Sequence, residues 1–366
     1  ISAAGNCWLK SKGWSPQTEP RHVSIPIFTA RHPSTHHIPD GSVMGWTEPS
    51  RRADLPINGQ GTGRTAKPGK QFYFTIDCDW VPGSHVGLAA LLDCCDRFRI
   101  KATIFFAGRF AEAYPDLVRE CLQRGHQLGT HGWAHGGLEE DEDFRIASYE
   151  QQRQWIRRAT DAVEKASGVR PVVFRAPNLW IGETTLRVLE EEGYHYDSSV
   201  PARRFDMGLG RVHYLKYFRA PRDPYRPSRS NLNHLGDSSI VEVPPSSCLF
   251  PINLATLRTV GLSTFQRMLQ WIGQRSRHLV FYCHPSEFVL AAEQAFPRSM
   301  SKWNQKRMSP GNLIFVNDLL AHIHEVGYIA TRMTDTATRQ LDLMQPVILR
   351  ARELQSEAIY QEEGQR

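Results

Sequence analysis

Along residues 71–331, short apolar runs alternate with amphipathic stretches, and a polar cluster follows most of the apolar runs. Residues 71–76 (QFYFTI), 102–107 (ATIFFA), 127–130, 171–174, 194–196, 278–283 (HLVFYC) and 328–331 read as strands. Between them, residues 84–97, 115–124, 146–166, 184–192, 263–276 and 312–326 carry helical spacing, several closed by glycine. Strand then helix, repeated about seven times, predicts parallel strands covered by helices. A closed or nearly closed β/α barrel fits this count better than an open sheet.

Two regions break the rhythm. Residues 1–70 hold eight Pro and eight Gly without a sustained period, and read as an irregular arm. Its glycine-rich stretch at 58–64 lacks the Gly-Lys-Ser/Thr ending of a phosphate loop. Residues 200–262 are rich in Pro and Arg and read as an irregular insertion with short strands, such as 239–243. Its place between strands makes it a candidate wall of a binding cleft. Residues 336–366 form a C-terminal tail.

Composition excludes several classes. Of 366 residues, 40% are hydrophobic and 22% charged, which rules out general disorder and a coiled-coil rod. No apolar run approaches the ~18 residues of a membrane span. The net charge of +6 is dispersed, so a nucleic-acid partner is not expected, whereas an anionic glycan or lipid headgroup suits it. Seven cysteines, an odd number with Cys94 and Cys95 adjacent, do not make a disulfide framework. Reduced thiols place the expected compartment in the cytoplasm, with a removed upstream leader as the alternative.

Five polar clusters carry the chemistry. Asp77 and Asp79 end the first strand two residues apart, on one face. Two carboxylates that close repel unless a cation or a proton lies between them. His131 and His135, four apart after the third strand, can grip one metal ion. Arg175, after the fourth strand, offers a fork to a carboxylate, and Trp180 a flat wall for a sugar ring. Asp197 and His284 follow two further strands, His284 with a side chain suited to proton transfer near neutral pH. The carboxyl-terminal mouth of a barrel is where such enzymes place their chemistry. One acid and two histidines leave a metal position open for water, a catalytic rather than a structural pattern.

This set, in this order, resembles the polysaccharide deacetylase family (carbohydrate esterase family 4, NodB homology domain). The resemblance spans residues 71–331, through TIDCD, HGWAH, RAPNLW, DSS and CHPSEF. It implies a distorted seven-stranded β/α barrel at 71–335. It also implies one divalent metal per chain, zinc first with Co2+, Ni2+ or Mn2+ as alternatives, on Asp79, His131 and His135. Asp77 would be general base, held by Arg175. His284 would be general acid, supported by Asp197. Trp180 and Trp133 would wall the sugar pocket. The implied reaction removes an N-acyl group, most often N-acetyl, from an amino sugar of a polysaccharide or glycolipid. An amidase or deformylase on a lipid-linked or small amide, or a glycan binder without turnover, are the alternatives. A homo-oligomer is compatible with the sequence. The chain departs from the commoner family form at Cys78, which separates the two acids, and at Gly132, where Ser or Thr is frequent. The split acids match a branch acting on peptidoglycan, surface polysaccharides or lipid-linked sugars.

Overall fold

A computed structural model describes residues 69–135, 142–205, 212–290 and 306–335. The chain divides into Ile1–Arg64 and Thr65–Arg366. The predicted arm, apart from its last two residues, and the tail lie outside the described residues.

In chain order the elements begin with β1 (Gln71–Cys78), α1 (Ser84–Arg97), β2 (Thr103–Phe106), α2 (Gly108–Ala113), α3 (Pro115–Gln123) and β3 (Gln127–Thr130). There follow α4 (Tyr149–Ser167), β4 (Val173–Phe174), α5 (Glu183–Glu191) and β5 (Tyr196–Asp197). The insertion contributes β6 (Pro227–Ser228), β7 (Asn231–Leu235), β8 (Val241–Glu242), β9 (Ser247–Cys248), β10 (Phe250–Pro251) and α6 (Leu254–Val260). The chain then runs through α7 (Leu262–Gly273), β11 (His278–Cys283), α8 (Leu313–Glu325) and β12 (Ile329–Ala330).

Seven parallel strands make one sheet in the order β11-β1-β2-β3-β4-β5-β8. Nearly continuous burial along β1, β2 and β11 is what a parallel sheet covered by helices requires. The sheet curls until β8 and β11 approach. No regular ladder joins them. Instead the Ser246 N–H donates to the Val280 carbonyl at 3.3 Å, and the Tyr282 N–H to the Ile252 carbonyl at 3.3 Å. The Val280 N–H also donates to Ser246 Oγ at 2.9 Å.

The seventh strand of the ring is β8, from within the insertion, rather than the predicted strand at 328–331. That segment gives only β12, which pairs with Gln71 and Phe72. The reason is the length of β1: β2 pairs with it only from Thr75 onward, so its lower edge stays open to β12. The predicted helix at 146–166 starts later, at Tyr149. Ser148 sits in extended backbone, and its hydroxyl accepts the Gln151 N–H and caps the helix. The short helices α2 and α6 carry too few turns to show a period in sequence. Among the described residues no helix is long and apolar enough to cross a membrane.

Candidate active site

All five polar clusters lie at the carboxyl-terminal ends of the ring strands or just beyond. Arg175 is fully buried at the end of β4, over the face of Phe105. A buried guanidinium is tolerable only when its donors are matched. Here Nε donates to the Ser198 carbonyl at 3.0 Å and Nη2 to Ser198 Oγ at 2.8 Å. Nη1 donates to Thr75 Oγ1 at 2.8 Å and to Asp77 Oδ1 at 2.7 Å. Burial pushes the Asp77 carboxyl up, but Arg175, His131 and His284 outweigh it and hold the group below the ordinary carboxylate range. Asp77 Oδ2 accepts no hydrogen bond among the described residues and is the oxygen left for chemistry.

Asp79, His131 and His135 offer ligand atoms that all lie within 4.8 Å of one another. His131 Nδ1 lies 2.8 Å from the Arg175 carbonyl. It must donate there, which turns the Nε2 lone pair toward Asp79 Oδ1 at 3.5 Å. Burial first, then the neighbouring His135, press His131 down to about 4 against the pull of Asp77 and Asp79, so the ring is neutral. Asp79 Oδ1 is buried without a hydrogen bond. Two buried lone pairs facing each other need a cation between them. The separation is close to the ~3.3 Å between adjacent ligands of a tetrahedral zinc site. The residues present therefore fit a divalent metal.

The loop that carries the two histidines is held from several sides. The N–H groups of Gly108 and Arg109, at the start of α2, donate to the carbonyls of Gly132 and Trp133 at 3.0 and 2.8 Å. Trp80 N–H donates to the His135 carbonyl at 2.7 Å, tying the first cluster to the second. Glu142, buried, accepts the N–H groups of Trp133 and Ala134. Gly132 sits at φ +69°, and a Cβ there would lie 2.1 Å from Glu142 Oε2. Both facts explain why glycine stands at this position.

His284 follows β11, beside Asp77 across the β1–β11 pairing. Its N–H donates to Glu287 Oε2 at 2.9 Å, and its Nδ1 lies 3.4 Å from the same oxygen. Arg258 on α6 donates to the other oxygen of Glu287 at 3.1 Å. Burial pulls the imidazole down, but Asp79, Glu287 and Asp77 more than reverse this and raise it to about 10. Close packing sets this loop: a Cβ on Gly87 of α1 would lie 1.9 Å from the Pro285 carbonyl oxygen.

Two expected roles need correction. Asp197 is not the partner of His284. Its Oδ1 accepts from Ser199 Oγ at 2.5 Å, and it faces Glu242, while Glu287 takes the place beside the histidine. Trp133 does not wall a pocket. Its ring is buried under the Arg158 guanidinium, 3.8 Å from the ring centre, and against Gly108. Trp180 stays partly exposed, with Arg145 stacked at 4.0 Å. Two left-handed residues, Asn178 and Leu179, turn the chain just before it. Sequence reasoning missed Glu287 and Glu242. Glu287 shows itself at i+3 from His284, the spacing of a capping box. Glu242 shows itself as an acid inside an otherwise apolar run.

A parallel β/α ring thus carries at one mouth an acid–His–His cluster that fits a metal, an Arg-held carboxylate and a histidine. Residues 64–196 match the polysaccharide deacetylase family model, which places this stretch of the chain in that family. Peptidoglycan deacetylase-like protein FGM2 of Gibberella zeae is 32% identical over 117 residues, 31% of this chain and 33% of that protein. Peptidoglycan-N-acetylglucosamine deacetylase PgdA of Listeria monocytogenes is 33% identical over 128 residues, 35% of this chain and 25% of that protein. The chain thus spans a third or less of these two relatives. A family 4 carbohydrate esterase from Streptomyces lividans, solved with acetate, overlays at a TM-score of 0.41 and 15% identity. It covers 71% of this chain and 91% of that one. The strand order above, not this overlay, carries the fold.

Proposed function

We propose that the protein is a metal-dependent N-deacetylase that removes the acetyl group from an amino sugar of a peptidoglycan-like glycan. The carrying observation is the meeting of Asp79, His131 and His135 beside an Arg-held Asp77, with His284 across from it. The substrate class rests on the family and on the two relatives named as peptidoglycan deacetylases.

A divalent cation held by Asp79, His131 and His135, zinc by the chemistry of the donors, would supply Lewis acidity to the amide carbonyl and acidify the attacking water. Asp77 Oδ2 takes the proton from that water as its oxygen attacks the carbonyl carbon. Arg175 keeps Asp77 ionised and aims it. His284, protonated and with Nδ1 turned to Glu287, presents Nε2 to the leaving nitrogen and delivers a proton there as the C–N bond breaks. The products are acetate and the free amino sugar. Trp180 supplies an apolar face for the sugar.

The test is acetate release and product mass from N-acetylated and N-formylated glycan fragments, polymeric and lipid-linked, with the metal-loaded and chelated protein. Release of acetate from glycan fragments by the loaded form alone supports the reading. Release of formate, or action only on a lipid-linked sugar, moves the assignment to a deformylase or small-amide hydrolase. Tight glycan binding without release makes the protein a binder.

A further inference from the structure

Glu242 and Asp197 are directly paired across β8 and β5, so both side chains enter the ring from one face. Both are buried. Glu242 Oε1 accepts the N–H groups of Ser199 and Val200 at 3.2 and 3.0 Å. Asp197 Oδ1 accepts the Ser199 hydroxyl, whose oxygen in turn accepts the Ala176 N–H at 2.8 Å. The remaining oxygens, Asp197 Oδ2 and Glu242 Oε2, are buried with no donor beside them, and the two carboxyls lie within hydrogen-bonding reach of each other. The nearby hydroxyls of Tyr217 and Tyr225 donate elsewhere, to the Ile181 and Leu232 carbonyls. Two carboxylates in such contact cannot both ionise.

The pair also clamps the turn at 197–200. Within that turn Ser198 receives two of the donors of Arg175, on its carbonyl and its hydroxyl, and passes its own hydroxyl proton to the Val243 carbonyl beside Glu242. The hydrogen bonds of Glu242 to Ser199 and Val200 are thus joined through the backbone of this turn to those that link Ser198, Arg175 and Asp77.

We propose that Glu242 and Asp197 hold one proton between them, and that this singly charged pair positions Arg175, and through it Asp77, for the reaction proposed above. Burial raises both carboxyls, and the guanidinium of Arg175 favours the one charge the pair retains. Glu242 is a positioning residue, since it acts through other side chains. The inference rests on the deacetylase reading for its consequence, but the pair itself can be read without turnover.

The experiment compares wild type with Glu242→Gln, Asp197→Asn and the double variant. Each single variant keeps one amide N–H between the two groups and one negative charge, so kcat should stay within about threefold. The double variant removes the charge and sets two amides face to face. It should lose about 10- to 100-fold in kcat with KM nearly unchanged, the usual scale for groups that orient a site from behind. Wild type at neutral pH should show the infrared carbonyl stretch of a buried carboxylic acid, absent from both single variants. In isotope-labelled arginine spectra the Arg175 Nε–H signal should be protected from exchange in wild type and single variants. It should be lost in the double.

A missing acid band in wild type, a tenfold or greater loss in either single variant, or a fully active double would overturn the proposal. Should the double fail to fold, the band and the single variants decide. If wild type releases no acetate, the band and the Arg175 signal still decide the pair, and what fails is the proposed reaction.

Discussion

At the scale of single residues the site separates into groups that hold the metal, move protons and aim the others. Asp77→Asn keeps the shape and the oxygen that meets Arg175 but cannot take a proton. We expect kcat to fall by about 10²–10⁴-fold while metal affinity stays near wild type, as read by acetate release beside metal titration. Metal lost along with activity would make Asp77 a ligand. His284 gives the pH dependence. Its folded value of about 10 lies above the ordinary 6.5, so its protonation stabilises the cation-free protein fully below pH 6.5. That contribution is lost as pH rises through about 10. A divalent cation beside Asp79 offsets that carboxylate and lowers the value, so the alkaline limb of activity should fall below the cation-free titration. Ring signals of His284 followed by NMR with and without zinc check this, and a cation-free value near 6.5 would contradict the geometry. The acid, the histidines and the arginine were legible because each ends an apolar run. Glu242 and Glu287 were not: one lies inside a strand and the other in a loop, and only the fold brings them beside their partners.

Among the elements, the loop of residues 131–135 is the most exacting. Its conformation depends on Gly132 at φ +69°, on Glu142 and on the first turn of α2. Gly132→Ala adds a Cβ in a left-handed backbone and against Glu142. We expect it to cost about 1–3 kcal/mol of stability and to weaken zinc binding at least tenfold. Thermal unfolding and metal titration read the two effects, and a variant with wild-type zinc affinity would show the loop to be more forgiving than its geometry. The strands of this region were readable because burial on both faces leaves continuous apolar runs, as in β11 (HLVFYC). The loop geometry was not readable, because HxxxH alone suits a helix as well as a turn, and the choice is made by groups distant in sequence.

For the whole molecule, the ring divides labour between its two ends. At the start of β11, Asp223 Oδ1 accepts from Ser276 Oγ at 2.6 Å and the Arg277 N–H at 3.2 Å, and meets His278 Nδ1 at 3.0 Å. His284 stands at the far end of that strand, ~20 Å away by strand rise. Asp223→Ala should therefore lower the melting temperature, at about 1–3 kcal/mol, and leave kcat unchanged. A fall in kcat at full folding would show the two ends to be coupled. The alternation of strands and helices made the barrel legible, but not which segment closes it. The count pointed to residues 328–331, and the ring takes β8 from an insertion whose proline and arginine content hides a two-residue strand. That closure has a consequence for solubility. A ring joined by a few bonds instead of a ladder leaves strand edges that could template pairing with another chain. One residue beyond β8 stand Pro244 and Pro245, both buried and neither with an N–H to offer. Lacking those N–H groups, the chain cannot carry the ladder of β8 further along this seam.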